Sequence, residues 1–133
     1  MKKEISLIIF IFCSLSAISQ LKSKTYLSRA HDRNSTTYCY SVQELTIYSD
    51  STYISKSWCT SKKEWRKYQE FKPEIDSGKV IIKGNNYLLS EYRNGKRTDF
   101  SRVAQITDRR IYYIYLDLND ELKRATKFKR IKK

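Results

Sequence analysis

Short segments of alternating apolar and polar residues, separated by turn residues, constrain this chain more than any other feature of its sequence. In the stretch VQELTIYSDSTYISKSW (42–58), Leu45 and Ile47 alternate with polar neighbours, and a Ser-Asp-Ser turn signal follows at 49–51. Because side chains alternate across a strand, pairing Ile47 with Tyr53 puts all three apolar side chains on one face of a hairpin. The pattern therefore predicts β-strands.

The same alternation continues along the rest of the chain. An Asn-Gly pair at 94–95 is a strong hairpin signal because type I′ turns need positive φ at both central residues. We predict about eight strands in sequential order. They are an early strand near Tyr26, the two arms of 42–58, and strands at 79–83, 87–93, 98–106, 111–116 and 122–131, with turns at 76–78, 84–86, 94–96, 107–109 and 119–120 and a polar loop at 29–37.

One segment departs from the strand pattern. Ser61 and Glu64 fit a capping box, and Trp65, Tyr68 and Phe71 then recur at a spacing of three before a proline. These residues predict a short amphipathic helix over about 61–71. The strand IYYIYL at 111–116 is apolar on both faces, which predicts a central strand covered on both sides, with this helix as the cover.

These elements predict an all-β fold made of a single domain. The chain has 133 residues, which suits one domain. Sequential antiparallel strands avoid exposed edges by curling into a closed barrel. We therefore expect an antiparallel meander, curled into a barrel of about eight strands over residues 20–133, with one short helix.

The first segment has the layout of a secretory signal peptide. A basic start precedes the apolar run Ile5–Cys13, and Ala17 and Ser19 are the small residues that a signal peptidase requires. We expect cleavage between Ser19 and Gln20, which places the protein in the periplasm or outside the cell. The apolar run is too short for a membrane span, which needs about 20 residues, so no transmembrane segment is expected in the mature chain.

Export changes the interpretation of the cysteines. Cys13 lies in the predicted signal peptide, and Cys39 and Cys59 remain. An even pair in an oxidising compartment predicts a disulfide, and closing a loop of about 20 residues is worth roughly 3 kcal/mol. In the register proposed for 42–58 both cysteines fall on one face at the open end of the hairpin. Two cysteines and one distant histidine do not form a zinc set, so no metal is expected.

Three stretches of the sequence resemble a known group of proteins. These are ELTIYSDSTY (44–53), SGKVIIKGNNYLLSEYR (77–93) and RRIYYIYLDLNDELK (109–123). They resemble small exported bacterial lipocalin-like β-barrels over about residues 42–131, with Ser51 and Val80 at positions where those proteins usually have Gly and Trp. The resemblance implies a lipocalin-like barrel and an envelope location, and it implies no activity.

The residues needed for catalysis are few. His31 is the one histidine, and it falls in the predicted polar loop, where a solvated side chain is the ordinary outcome. The chain has no GxSxG, Walker, HExxH or EF-hand motif. We therefore expect a protein that is not an enzyme and needs no cofactor.

The net charge of +13 is concentrated in segments that also carry aromatic residues. Cations interleaved with aromatic rings suit phosphate or carboxylate groups. The anion-binding candidates are Lys62, Lys63, Arg66, Lys67, Arg109, Arg110, Lys127, Lys129 and Arg130, and the aromatic candidates are Trp65, Tyr68 and Tyr112. Export argues against nucleic acid and favours an anionic envelope component or an acidic protein as partner. Lysine-rich strands that only maintain solubility are the alternative.

A barrel interior offers a second kind of site. Eight strands can just enclose one small ligand. Leu45, Ile47, Tyr53, Ile82, Leu88 and Tyr113 are the predicted interior residues. A packed core explains them equally well. The sequence thus predicts a monomeric binding protein for an anionic partner, with a carrier of a small apolar ligand as the alternative.

Overall fold

The alternating segments form eight antiparallel strands in a computed structural model that describes residues 22–33 and 38–132. The strands are β1 (Ser23–Arg33), β2 (Tyr38–Tyr48), β3 (Thr52–Thr60), β4 (Glu74–Lys83), β5 (Asn86–Arg93), β6 (Lys96–Ile106), β7 (Arg110–Leu116) and β8 (Leu122–Ile131). Each strand pairs with the next in sequence, and the sheet is a closed barrel. The predicted all-β meander barrel of eight strands is confirmed. The predicted signal peptide at 1–19 lies outside the described residues.

Local turn chemistry sets the strand register. Ile47 pairs with Tyr53 as predicted, and Ser51 in the connecting turn has φ 64°. The Asn94-Gly95 turn has φ values of 52° and 75°, the two positive values of a type I′ hairpin turn. The barrel closes between the first and last strands, where Tyr26 pairs with Arg130. The two strands pair over three residues of each, Thr25–Leu27 with Lys129–Ile131, and this short ladder closes the sheet.

Two predicted irregular segments are strands. The polar loop expected from Arg29 is wrong as far as Arg33, because these residues continue β1 in pairing with β2. The turn expected at 76–78 is also wrong, because Gly78 lies inside β4 opposite Tyr53. A Cβ at Gly78 would lie 1.9 Å from the carbonyl oxygen of Ser90 and 2.8 Å from Cε1 of Tyr53. Glycine here serves close packing rather than a turn.

The predicted helix is a 3-10 segment, Trp65–Glu70, with a kink at Lys67. It is shorter than the expected 61–71 segment, which begins instead with a turn in which the backbone N–H of Glu64 donates to Ser61 Oγ at 3.2 Å. The helix contacts β2 and β3. The expectation that it covers β7 is therefore wrong, and the end of β7 lies open, with Leu116 61% exposed.

The interior core forms a layer across the middle of the barrel. Inward-facing side chains from seven strands make it. They are Tyr26, Leu45, Tyr53, Leu89, Ala104, Ile111, Tyr113 and Phe128. A second buried cluster of Val42, Trp58 and Tyr68 lies on the outer side of β2 and β3, beneath the 3-10 helix. Alternation along each strand therefore separates an inner core from an outer, helix-covered one.

The predicted disulfide is present. Cys39 on β2 and Cys59 on β3 are bonded, with their Cα atoms 5.4 Å apart. Ser41 pairs with Cys59, so the two cysteines are offset diagonally at the open end of the hairpin, as the sequence indicated. The bond ties the two strands that carry the outer buried cluster.

Candidate anion-binding face and barrel mouth

Four candidate residues of β7 and β8 lie on the outer side of the barrel. Ile111 and Phe128 are buried in the interior core, so their sequence neighbours on both strands face outward. Arg110 pairs with Lys129, and Tyr112 pairs with Lys127. Directly opposite residues of an antiparallel pair have Cβ atoms about 5 Å apart. The register therefore places three cations and one aromatic ring in a single patch.

The cations of this patch are uncompensated as far as the described residues go. Within residues 22–33 and 38–132, no ion pair involves Arg110, Lys127 or Lys129. All three are exposed. Like charges directly opposite each other destabilise a sheet by a few tenths of a kcal/mol, up to about 1 kcal/mol. The repulsion between Arg110 and Lys129 thus lowers the stability of the sheet.

The patch continues across β1 to the 3-10 helix. Lys129 pairs with Leu27, and Arg29 follows two residues later on the same side of β1. The guanidinium carbon of Arg29 lies 4.1 Å from the ring centroid of Trp65, and that of Arg66 lies 5.5 Å from it. These contacts connect the helix to the strand that borders β8.

A second guanidinium stacks on Tyr112. The Cζ atom of Arg124 lies 4.2 Å from the ring centroid of Tyr112, and Nε of Arg124 donates to Gln105 Oε1 at 3.2 Å. We call the whole surface the outer basic face. Its members are Arg29, Trp65, Arg66, Arg110, Tyr112, Arg124, Lys127 and Lys129. Arg29 and Arg124 are not among the anion-binding candidates predicted from the sequence, since neither lies beside its aromatic partner in the sequence.

Tyr68 supports this face from below. It is buried, its ring lies edge-on to Trp58 with centroids 4.8 Å apart, and its hydroxyl donates to a carboxylate oxygen of the buried Glu44. Burial and then the hydrogen bond to Glu44 raise the pKa of Tyr68 to about 12. The indole N–H of Trp58 donates to the carbonyl of Phe71 at 2.9 Å and holds the end of the helix. Tyr68 therefore anchors the helix rather than offering a stacking surface.

The remaining predicted cations have different positions. Lys62, Lys63 and Lys67 are exposed along the segment that precedes and forms the 3-10 helix. Arg109 is exposed in the turn between β6 and β7. Arg130 pairs with Tyr26, which faces the interior, and is therefore turned away from the outer basic face.

Arg130 belongs to the end of the barrel where β1 begins and β8 ends, which we call the terminal mouth. Nη1 of Arg130 and Nζ of Lys24 each lie 2.7 Å from Oδ1 of Asp108. Hydrogen bonding from Lys24, reinforced by the charge of Arg130, lowers the pKa of Asp108. The hydroxyl of Tyr26 donates to the carbonyl of Thr107 at 2.9 Å, which fixes the turn that presents Asp108.

The terminal mouth opens into a cavity of about 770 Å³. Apolar and aromatic side chains form its inner wall, and charged groups form its rim. The wall residues are Tyr26, Ile47, Val80, Tyr87 and Ile106, and the charged rim residues are Lys22, Lys24, Asp108 and Arg130. Of the predicted interior residues, Ile47 lines this cavity, whereas Ile82 is 77% exposed.

A smaller polar pocket of about 100 Å³ lies beyond the interior core, toward the opposite end. Its walls include Ser55, Asp76, Glu91 and Arg102. Glu91 is only 5% exposed, and Nε of the exposed Arg93 lies 2.6 Å from its Oε1. The buried carboxylate is thus compensated by an exposed arginine of the same strand.

In residues 22–33 and 38–132, no group of three or more His, Cys, Asp or Glu side chains is placed to hold a metal ion. No helix in the same part of the chain is long and apolar enough to cross a membrane.

Comparisons with known proteins give no match for this chain. No protein-family model, no curated protein and no solved structure matches it.

Proposed function

We propose that this chain is an exported, monomeric, non-enzymatic protein of lipocalin-like architecture that binds an anionic partner through the outer basic face. The single observation that carries the proposal is the Arg110–Lys129 pair, two exposed like charges held opposite each other with no ion pair to either one among the described residues. An anionic partner would remove the repulsion that the free protein retains. Lys127 would add a third cation beside the pair.

The aromatic members give the face its shape. Trp65 and Tyr112 each carry a stacked guanidinium, which orders the arginine side chains and leaves their edge N–H groups for an acceptor. Arginine forks bind carboxylate and phosphate groups with two parallel hydrogen bonds. The chemistry suits an acidic envelope glycan, a phosphorylated lipid headgroup or an acidic protein segment.

An extracytoplasmic location supports this choice of partner. Structural disulfides form and persist in oxidising compartments, and the Cys39–Cys59 bond is of that kind. The signal peptide expected at 1–19 would deliver the chain there. A protein in that compartment does not meet cytoplasmic nucleic acid.

A salt titration tests the proposal. Binding of the mature chain to heparin, a soluble sulfated polymer, should weaken roughly tenfold or more between 50 mM and 500 mM NaCl, since screening shortens the range of exposed charges. Vesicles containing phosphatidylglycerol, and vesicles of phosphatidylcholine alone, would separate glycan-type from lipid-type partners. A salt-independent affinity for every anionic probe would contradict the proposal.

The terminal mouth favours a second candidate function, the carriage of a small apolar ligand. Its cavity of about 770 Å³ falls in the size range of small-molecule sites and has an apolar wall. The neutral fluorescent probe N-phenyl-1-naphthylamine should gain intensity on binding. Val80→Trp, which fills the cavity, should abolish the gain, whereas Ile81→Trp, on the outer face of the same strand, should not. Equal probe binding by both variants would contradict this function.

A further inference from the structure

The rim of the terminal mouth already holds a carboxylate against two cations. Asp108 Oδ1 lies 2.7 Å from both Lys24 Nζ and Arg130 Nη1. We propose that the terminal mouth takes an amphiphile with a carboxylic acid head, and that the head replaces Asp108 on Lys24 and Arg130 while the chain enters the apolar cavity. This inference rests on the carrier function proposed above, and it names the ligand class.

The charge of the rim favours an acid over other headgroups. Lys22, Lys24 and Arg130 face a single acidic side chain, Asp108, so the rim keeps a net positive charge. A cationic head would be repelled by this rim, and a neutral head would gain no ion pair. Lys24 and Arg130 both lie at the edge of the cavity, where an ion pair is partly shielded from water.

Asp108 can give up its place at small cost. Its side chain is 63% exposed, so its carboxylate can turn to water without losing solvation. The turn itself does not depend on the carboxylate, because the backbone is held by the Tyr26 hydroxyl and by the Thr107 N–H, which donates to the carbonyl of Arg110 at 2.9 Å. A ligand carboxylate would thus meet two cations at a distance already suited to a carboxylate.

The apolar wall accounts for the other half of the ligand. Ile47, Val80 and Ile106 line the cavity together with the rings of Tyr26 and Tyr87. Burial of a methylene group contributes about 0.8 kcal/mol, so a chain of about ten carbons gains affinity mainly from this wall. The cation pair then decides which head is preferred.

Competition between two probes of equal chain length tests the inference. Dodecanoate and dodecanol are each used to displace N-phenyl-1-naphthylamine from the mature chain at pH 8. We expect dodecanoate to bind roughly tenfold more tightly, which corresponds to one ion pair at a partly shielded site. Lys24→Gln combined with Arg130→Gln should bring the ratio near one, and Asp108→Asn should raise it several-fold by removing the competing carboxylate.

A matched variant controls for net charge. Lys96→Gln with Arg97→Gln also removes two positive charges, at exposed positions that do not line the cavity, and should leave the ratio unchanged. Thermal unfolding of each variant checks that it is folded. Equal affinities for acid and alcohol in the native chain would overturn the headgroup inference and leave the carrier function in place. Displacement by neither probe would overturn both.

Discussion

The outer basic face and the terminal mouth both contain lysine and arginine side chains, but these cations differ in whether a carboxylate is paired with them. At the mouth, Lys24 and Arg130 share the carboxylate of Asp108. On the outer face, Arg110 and Lys129 lie opposite each other, and no ion pair within the described ranges involves either one. Lys24 and Arg130 at the mouth therefore have a carboxylate partner within the protein, and the outer-face pair has none among the described residues.

The difference follows from the period of two along β8. Lys129 and Arg130 are neighbours in sequence, yet Lys129 faces outward and Arg130 faces the cavity, because Phe128 is fixed in the interior core. Consecutive cations on one strand thus belong to two different surfaces of the barrel. The strand register determines which of them can contact an external partner.

The largest effect on stability should come from a substitution of Tyr68, which supports the outer basic face from below. Tyr68→Phe removes the hydrogen bond to the buried carboxylate of Glu44, and hydrogen bonds to charged groups are worth about 1.5–3 kcal/mol. We expect a loss of that size in the free energy of unfolding, measured by urea denaturation. We also expect weaker heparin binding, because Trp65 lies on the same helix.

Tyr112→Phe is the matched control for this substitution. Within the described residues, the Tyr112 hydroxyl makes no hydrogen bond, so its removal should change the free energy of unfolding very little. Equal losses in the two variants would show that the Tyr68–Glu44 contact does not hold the helix. The terminal mouth should bind N-phenyl-1-naphthylamine equally well in both, since neither residue lines it.

Much of the fold was predictable from the sequence, because alternation and turn chemistry act locally. The hairpin turns at 49–51 and 94–95, the register of Ile47 with Tyr53, and the bounds of β8 all followed from such signals. The role of Gly78 was not predictable, since its reason is the close approach of Ser90 and Tyr53 from other strands. A glycine read in isolation indicates a turn.

The candidate site was only partly predictable for the same reason. Sequence proximity grouped Arg130 with Lys129 and Tyr68 with Trp65. The alternation along β8 turns Arg130 and Lys129 to opposite sides, and burial separates Tyr68 from Trp65. Arg29 joined the site through a stacking contact across 36 positions of the chain, which no local pattern encodes. The predicted position of the helix was wrong. The apolar side chains at the end of β7 remain exposed to solvent, so the helix does not have to cover them.

A pH titration tests the ion pairs of Asp108 at the mouth. The lowered pKa of Asp108 means that its pairing with Lys24 and Arg130 stabilises the fold above the pKa of an unfolded aspartate. That stabilisation is lost as pH falls through the folded-state pKa. NMR titration of the carboxyl carbon should show the pKa of Asp108 rising toward its ordinary value in Lys24→Gln, but not in Lys129→Gln. An unchanged pKa in Lys24→Gln would contradict the pairing.

The smallest effect should come from the like-charge pair itself. Lys129→Gln removes the repulsion with Arg110, and we expect the free energy of unfolding to rise by about 0.2–1 kcal/mol at low salt. The gain should shrink in 0.5 M NaCl. Lys24→Gln, which breaks a compensated pair, should lower stability under the same conditions. A loss of stability in Lys129→Gln would mean that this lysine has a compensating partner in the free protein.

We propose that position, rather than net charge, makes the outer basic face the binding surface. Two variants that each lose three positive charges test it directly: Arg110→Gln/Lys127→Gln/Lys129→Gln on the outer face, and Lys22→Gln/Lys24→Gln/Arg130→Gln at the mouth. Heparin affinity at low salt should fall roughly tenfold or more in the first and less than about threefold in the second. Equal losses in the two variants would contradict the claim.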